Sequence, residues 1–310
     1  MPSDPAQCCH DLWEHQFREA LKARLLRWVL GVAYALRPKR ASLVPRLLGM
    51  IVVYWLKPKQ SRDRLPKDPV YYGQQGLIGL SNDLSVDTVI VRYRQGWFPL
   101  CHIGPMKWWS PSERAIIVPA AIRIDRNVRR LLRRGKFLVT FDEDFAGVIE
   151  ACAAPRPGKT PLTWITPQVM RAFWDLHAAG YAHSVEVWDE NCDLVAGLYG
   201  LAIGGVFFAE SRFARVENAS KVAVAVLHHH LAQWGFGIRD AKWISPHLAS
   251  LGFRLVSREI FNGMLENLCS KPTRLGRWEI DETLDTPNWQ SGCAGRLDDE
   301  VAQRPAVLKL

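Results

Sequence analysis

The sequence has no long apolar segment and no regular arrangement of cysteines. No unbroken apolar run reaches the about 20 residues that a bilayer-spanning helix needs; the run Leu47–Leu56, for example, has ten. The seven cysteines are odd in number and scattered, which excludes a disulfide scaffold and fits a reducing compartment. The first residues also lack the basic-then-apolar order of a secretory signal. We therefore expect a cytoplasmic protein.

The motifs of several enzyme classes are also missing. There is no Walker A loop, no G-x-G-x-x-G after a strand and no G-x-S-x-G turn around a nucleophilic serine. No cysteine pair has the spacing of a zinc finger. The run His228–His230 occupies consecutive helical positions, which point in different directions, so we interpret it as a polar helix face. The sequence thus predicts no cofactor and no metal.

Charge is unevenly distributed along the chain. The net charge is +9 at pH 7, with 48% hydrophobic and 23% charged residues, which is typical of a globular protein. Residues 1–65 contain 12 Lys and Arg against 5 Asp and Glu, while the remaining 245 residues contain 28 against 26. The basic N-terminal segment indicates a polyanionic partner, either nucleic acid or an anionic membrane surface.

This N-terminal segment is predicted to be helical. Apolar residues at four-residue steps predict a helix over residues 11–36, and the apolar run 47–56 ends at a linker-like stretch rich in proline and charge. Three interpretations stay open. The first is an extra helical hairpin packed on the main body, and the second is a peripheral membrane contact through residues 11–60 at the inner face of the membrane. Contact with nucleic acid is the third.

From residue 71 onwards, predicted strands and helices alternate. This order predicts an α/β (α+β) fold with a mixed sheet flanked by helices. The tail, residues 283–310, is polar with little periodicity, and we expect it to be loose. Helices are predicted within 123–134, 163–180, 218–235 and 257–268 and from about 85 to 95, and a strand over 236–244.

Eight short motifs follow one another between residues 71 and 282. They are "GLIGLSNDLSVDTVIVRYRQGWFP" (76–99), "WWSP" (108–111), "TWIT" (163–166), "GYAHSVEVW" (180–188), "GLYG" (197–200), "ES" (210–211), "ENASK" (217–221) and "HLASLG" (247–252). Each is weak alone. Together, in this order and at this spacing, they resemble the leucyl/phenylalanyl-tRNA–protein transferase family.

The resemblance implies an architecture and a reaction. It implies a small N-terminal domain, which we expect at 66–120 after the extension 1–65, and a GNAT-like acyltransferase domain at 121–282. It also implies transfer of Leu, Phe or a related amino acid from aminoacyl-tRNA to the N-terminal amine of an acceptor protein or peptide, as in N-degron pathways. The open alternatives are a divergent paralogue with a small-molecule or lipid acceptor, and a non-catalytic protein that binds tRNA or N-termini.

Five arginines and two tryptophans are candidate contacts with the tRNA. The arginines recur at steps of one, three and four on one predicted helix, roughly on one half of it, and the resemblance implies that basic residues there contact the acceptor stem. It also favours Trp108 and Trp164 as binding surfaces for the terminal adenosine or the peptide. The arginines are Arg126, Arg129, Arg130, Arg133 and Arg134.

The resemblance also points to catalytic residues. Asp240 corresponds to the essential aspartate of the family, and Glu210 corresponds to its site glutamate. Lys242 stands where the family has glutamine. We expect Lys242 to be an ammonium, because two nearby carboxylates should outweigh its burial. On a continuous strand, Asp240 and Lys242 would point to the same face.

The pocket for the aminoacyl side chain is apolar in the family, and two positions depart from that character here. Arg212 replaces a methionine and Arg239 replaces an aliphatic residue. Two guanidiniums in an apolar pocket are costly unless they are paired or turned outward, so either they point away or the pocket takes another side chain. The positions that stay apolar are Leu198, Phe207, Val224, Leu227 and Leu231.

Overall fold

The structure is a computed structural model that describes residues 17, 19–37, 44–66, 68–156, 158 and 160–290. Its elements, in chain order, are α1 (Leu21–Ala35), α2 (Val44–Leu56), α3 (Lys59–Arg62), β1 (Leu77–Leu80), α4 (Val86–Arg94), β2 (Phe98–Pro99), β3 (Lys107–Trp109), β4 (Glu113–Ile117), a 3₁₀ helix (Pro119–Ala121), α5 (Arg126–Arg133), β5 (Leu138–Phe141), α6 (Phe145–Ala153), α7 (Pro167–Ala178), β6 (Ala182–Trp188), β7 (Leu194–Ile203), β8 (Val206–Ala214), α8 (Ala219–Gln233), β9 (Ile238–Asp240), α9 (Pro246–Ser250), β10 (Arg254–Ser257) and α10 (Arg258–Leu268).

The chain forms two compact units. Unit 1 comprises Met1–Ser112 and Ile149–Ala179, and unit 2 comprises Glu113–Val148 and Gly180–Leu310. The segment Ile149–Ala179 thus belongs to the same unit as the N-terminal part of the chain, although unit 2 residues precede and follow it. Linker-like stretches in the sequence do not reveal such an arrangement. The domain boundaries that we expect at residues 65, 120 and 282 stay predictions.

Unit 1 contains a three-stranded antiparallel sheet in the order β1-β3-β2. The N-terminal helices are joined to this unit at defined points. On α1, a Cβ on Gly31 would come within 2.6 Å of Ile103, so glycine is needed there for close packing. Arg27 on the same helix donates to the carbonyl of His102. On α2, the buried Tyr54 hydroxyl donates to Asp63 at 3.1 Å.

Unit 2 contains a seven-stranded mixed sheet in the order β10-β4-β9-β8-β7-β6-β5. All neighbouring strands are antiparallel except β8 and β9, which are parallel. Helix α8 packs on one face over the main apolar cluster, and α10 packs against β4 and β10. The predicted fold class, a mixed sheet flanked by helices, is confirmed.

Side-chain caps explain why several helices begin where the sequence predicts. Asp125 accepts from the Val128 amide at 2.8 Å, Thr166 caps α7 ahead of Pro167, and Ser257 caps α10. The predicted helix over 11–36 begins only at Leu21 among the described residues, and its first residues largely lie outside them. No helix in the described part of the chain is both long and apolar enough to cross a membrane.

The first part of the predicted loose tail is packed on unit 2. Thr286 is buried, and the ring of Trp289 stacks on His229 with centroids 4.5 Å apart. Residues 283–290 are therefore part of the folded unit. Residues 291–310 lie outside the described residues.

Candidate active site

Asp240 lies at the centre of the large sheet. It is the last residue of β9, which pairs with β4 on one side and β8 on the other. Its buried carboxylate accepts hydrogen bonds from the Arg114 guanidinium on β4, from Nε at 3.0 Å and from Nη2 at 2.6 Å. The equally buried Arg114 lies 4.4 Å from the centre of the Phe261 ring. Both charges of this bidentate pair are thus removed from water together.

Lys242 lies in a turn that follows β9 directly. Its backbone φ is 64°, in the left-handed region that costs an L-residue roughly 1–2 kcal/mol. The turn is held by Asp240, whose Oδ1 accepts from the Lys242 amide at 3.0 Å. The predicted strand over 236–244 is present only as Ile238–Asp240. The expectation that Asp240 and Lys242 point to one face is wrong, because the strand ends at Asp240 and the turn redirects the lysine.

The Lys242 side chain contacts Glu210. Its Nζ is 2.5 Å from Glu210 Oε1, and it donates to the carbonyl of Ala209 at 2.9 Å. Glu210 is the extra residue of a bulge in β8, since Ala209 pairs with Gly200 while Ser211 pairs with Tyr199. Bulges commonly re-aim a side chain at functional sites. The result is a buried cation and anion in contact beside the Asp240–Arg114 pair.

The electrostatics of Lys242 differ from expectation. Burial lowers the pKa of its amine below the ordinary value, and the charge of Arg114 adds to this, although Glu210 and Asp240 act in the opposite direction. From the sequence we expect the two carboxylates to outweigh burial and so to raise the pKa of Lys242. That expectation is wrong: the pKa is lowered, because the side chain is almost completely removed from solvent.

The residues that the resemblance assigns to the aminoacyl pocket share one face of the sheet. Leu198 pairs with Arg212 and Phe207 with Arg239 on neighbouring strands, and cross-strand partners point to the same side. Asp240 follows Arg239 and therefore points to the opposite side. Helix α8 covers the pocket face with Val224, Leu227 and Leu231.

The two pocket arginines are not equivalent. Arg239 is buried, and its Nη1 lies 2.9 Å from Nε2 of His228. The Nδ1 of His228 is 3.1 Å from the carbonyl of Pro119, which only accepts, so Nδ1 carries the proton and Nε2 accepts from Arg239. Burial, with the charge of Arg212 second, lowers the pKa of Arg239 to about 9. Arg239 is thus paired inward with a neutral imidazole rather than turned outward.

The predicted pocket is closed in this structure. Its five apolar members are at most 2% exposed. The space beside Arg212 is a cavity of 20 Å³ that Lys221, His247 and Val224 also line, which is room for about one water molecule. The predicted pocket therefore has no room for a side chain such as Leu or Phe unless α8 and the sheet separate locally.

The three histidines of α8 are buried, so they do not form the polar helix face that the sequence suggests. Each has its own partner: the Nε2 of His230, for example, accepts from the Asp281 amide at 3.0 Å. Burial lowers the pKa of all three imidazoles. Among the described residues, no group of three or more His, Cys, Asp or Glu side chains could hold a metal.

The candidate tRNA-binding arginines divide into two sets. Helix α5 packs on α8 through Val128. Arg129 donates to the carbonyls of Pro287 and Trp289 at 3.1 and 2.7 Å, and Arg133 lies within reach of Asn288, so these two hold the tail. The other three follow one exposed line at steps of four and present their charge to solvent: Arg126, Arg130 and Arg134.

The two candidate tryptophans differ in exposure. Trp108 on β3 is fully buried and donates from its indole to the carbonyl of Ser81 at 3.1 Å. A ring without exposed surface cannot stack on a base in this conformation. Trp164, before α7, is partly exposed and keeps a surface for stacking.

Arg114 is a site residue that sequence reasoning missed. Its partner is 126 positions away along the chain, so no local spacing connects them. The signal was a cation inside the apolar strand "RAIIV", because a charge in a central strand requires a buried counter-charge.

Comparison with known proteins identifies the family of this chain. The family model described as leucyl/phenylalanyl-tRNA protein transferase matches residues 116–266, and the model of its N-terminal domain matches residues 82–112. The leucyl/phenylalanyl-tRNA–protein transferase of Pseudomonas syringae pv. syringae is 44% identical over 220 residues, covering 71% of this chain and 95% of the relative. That of Pseudomonas fluorescens (strain SBW25) is 46% identical over 228 residues, covering 72% and 98%.

Among solved structures, L-PGS from Bacillus licheniformis overlaps with a TM-score of 0.30 at 11% identity, over 59% of this chain and 70% of that one, which is too low to bear on fold or function. The curated relatives place this protein among the aminoacyltransferases. More narrowly, the chain belongs to the leucyl/phenylalanyl-tRNA–protein transferase family, as its motifs predict.

The buried pair makes a prediction about stability. Asp240→Leu leaves the Arg114 charge buried without its counter-charge, so we expect the free energy of unfolding to fall by about 3–5 kcal/mol. Arg114→Met should cost a similar amount, and Arg114→Met with Asp240→Leu should cost clearly less than the sum. Denaturant unfolding measures all three.

A control uses an exposed ion pair in the same unit. Arg277 and Glu143 are in contact with both side chains more than half exposed, so Glu143→Ala should change the free energy of unfolding by about 1 kcal/mol or less. Additive effects of Arg114→Met and Asp240→Leu would show that the central pair is not energetically coupled.

Proposed function

We propose that this protein transfers Leu or Phe from aminoacyl-tRNA to the N-terminal amine of an acceptor protein, with Lys242 and Glu210 at the reacting atoms and Asp240 behind them. The observation that carries the proposal is the contact of Lys242 with Glu210 at the centre of the large sheet, inside the segment that matches the family. Charged tRNA is a cytoplasmic substrate, so we expect the protein to act there.

The chemistry requires little covalent help from the protein. An aminoacyl ester is already activated, so no nucleotide is needed, and the attacking amine is itself the nucleophile. The amine nitrogen forms a bond to the ester carbonyl carbon, the carbon–oxygen bond to the tRNA 3′ end breaks, and the amine proton ends on the departing 3′ oxygen. The protein has to orient the two substrates, relay that proton and stabilise the tetrahedral oxyanion.

Lys242 and Glu210 divide these tasks by charge. Glu210 is a carboxylate that can take the proton from the attacking amine and pass it to the 3′ oxygen. Lys242, held against Glu210 at 2.5 Å, supplies positive charge for the oxyanion. A glutamine at this position would supply a hydrogen bond but no charge. Lys242 therefore acts as an ammonium, and activity falls as pH rises through its lowered pKa.

Asp240 is a positioning residue in this account. Both of its carboxylate oxygens already accept hydrogen bonds, from Arg114 and from the Lys242 amide. An incoming amine would have to displace these donors. Asp240 instead acts through the left-handed turn, which presents Lys242 to Glu210.

A second candidate is transfer of a different amino acid, and the buried Arg239 favours it. This guanidinium lies on the same face as Leu198 and Phe207, and the charge of Arg212 reaches it. If the pocket opens beside Arg212, an acidic or polar side chain could pair with the guanidinium there, whereas the apolar side chain of Leu or Phe could not. The acceptor could also differ, as a small molecule or a lipid.

The transfer assay decides between these candidates. Leu and Phe from charged tRNA should be transferred to a peptide that begins with Arg or Lys, and faster than any of the other eighteen amino acids. Lys242→Gln should lower the transfer rate by roughly tenfold to a hundredfold, because the hydrogen bond is kept and the charge is lost. Exposed Lys271→Gln is the matched control and should leave the rate unchanged.

Preference for another amino acid would support the second candidate. Arg212→Met with Arg239→Ile should then move the preference towards Leu and Phe. Transfer by Lys242→Gln at the parental rate would contradict the proposed role of the ammonium.

Binding of tRNA should depend on the exposed line of arginines on α5. Arg126→Ala with Arg130→Ala removes two phosphate contacts, so the slope of log K against log salt should become shallower by about one unit per lost contact. Filter binding with charged tRNA across a salt series measures the slope.

The control removes the same charge from elsewhere in unit 2. Arg254→Ala with Lys271→Ala takes away two exposed cations and should leave the slope unchanged. An equal loss of slope in both double variants would mean that tRNA senses only the net charge of the protein.

A further inference from the structure

Helices α1 and α2 expose an apolar surface. Of the twenty large apolar side chains that are exposed in the described part of the chain, twelve lie between residues 21 and 56, with exposures from 46% to 78%. We call these twelve side chains the apolar face. They are Leu21, Leu25, Leu26, Trp28, Val29, Val32, Leu36, Leu48, Val52, Val53, Trp55 and Leu56. So many exposed apolar groups in one segment mark an interaction surface.

The charges beside the apolar face are almost all positive. The described residues 19–37 and 44–66 contain nine Lys and Arg against two Asp and Glu. Neither α1 nor α2 contains an acidic residue. One of the two acids, Glu19, is bound by Arg27 at 2.7 and 2.9 Å. The surface is therefore cationic wherever it is not apolar.

A cavity opens among the same elements. It has a volume of 890 Å³ and is lined by side chains of α1, α2 and residues 100–107, among them Trp28, Val32, Ile51 and Trp55. Pockets that bury whole small ligands have about 300–1,000 Å³. The space is large enough to admit part of an apolar molecule between the two helices.

The contacts that attach α1 and α2 to unit 1 leave the apolar face exposed to solvent. Gly31, Arg27 and Tyr54 make contacts with the rest of unit 1, whereas Leu25 and Val29 are 59% and 67% exposed. The extension is thus docked on one side and exposed on the other, so packing alone does not account for its composition.

We propose that residues 19–66 seat this protein on an anionic lipid bilayer. Helices α1 and α2 lie in the plane of the interface, with the apolar face among the acyl chains and the lysines and arginines at the headgroups, as amphipathic anchoring helices do. An anionic bilayer accounts both for the exposed apolar side chains and for the positive charge beside them. Nucleic acid would pair with the cations but leave the apolar face in water, and a second copy would bring two cationic surfaces together.

Vesicle flotation of the full chain tests the proposal. The protein should float with vesicles of phosphatidylcholine and phosphatidylglycerol, and bind vesicles of phosphatidylcholine alone far more weakly. Lys57→Gln with Lys59→Gln should weaken binding to the anionic vesicles by about fivefold per cation removed. Equal binding to both kinds of vesicle, or to neither, would overturn the proposal.

A second variant tests insertion of the apolar face. It changes four exposed side chains of the apolar face, so we expect the fold to be kept. We expect this variant to bind anionic vesicles about tenfold more weakly, or weaker still. The changes are Leu25→Gln, Val29→Gln, Val52→Gln and Val53→Gln. Its transfer activity without vesicles should equal that of the parent.

The matched control replaces four similarly exposed apolar residues outside the extension and should float like the parent. The changes are Val70→Gln, Val91→Gln, Leu138→Gln and Leu275→Gln. Parental flotation of the extension variant, or equal loss in the control, would contradict insertion. Concentration-dependent dimers without lipid, abolished by the extension variant alone, would show that a second copy covers the face instead.

Discussion

The buried ion pair between Arg114 and Asp240 is the interaction on which the candidate site depends. It joins β4 to β9 at the centre of the large sheet, and neither charge has access to water. Such a pair is costly to break because either partner alone would be a buried, uncompensated charge. The same carboxylate accepts from the Lys242 amide. Strand pairing and the left-handed turn that carries the lysine are therefore fixed by one side chain.

This arrangement explains how a buried lysine is accommodated at position 242. The cation does not enter an apolar environment alone, because Glu210 lies at 2.5 Å and the Ala209 carbonyl at 2.9 Å. Burial lowers the pKa of Lys242, while the carboxylates of Glu210 and Asp240 oppose that shift. The charge on Lys242 is thus set by a balance between burial and the two carboxylates, which a neutral glutamine would not need. On the opposite face, His228 plays the corresponding part for Arg239 by accepting its hydrogen bond.

Local features were predictable from the sequence, and long-range ones were not. The caps Asp125, Thr166 and Ser257 use neighbouring amides, so the starts of their helices could be read directly. The motifs also led to the family and fold class. The partner of Asp240 lies 126 residues away, the end of β9 depends on that pairing, and the tail packs through contacts of Arg129 more than 150 positions apart. Periodicity carries no information on contacts of that kind.

In the proposed mechanism, Asp240 positions Lys242 and does not touch the attacking amine. Asp240→Asn tests it, because an asparagine oxygen can still accept the Lys242 amide while the negative charge is lost. The pH profile of the transfer rate should be compared with that of the parent at a temperature where both are folded. We expect measurable transfer, above that of Asp240→Ala, with the alkaline limb moved to lower pH, since Asp240 helps to raise the pKa of Lys242. Activity as low as that of Asp240→Ala in a fully folded protein would contradict it.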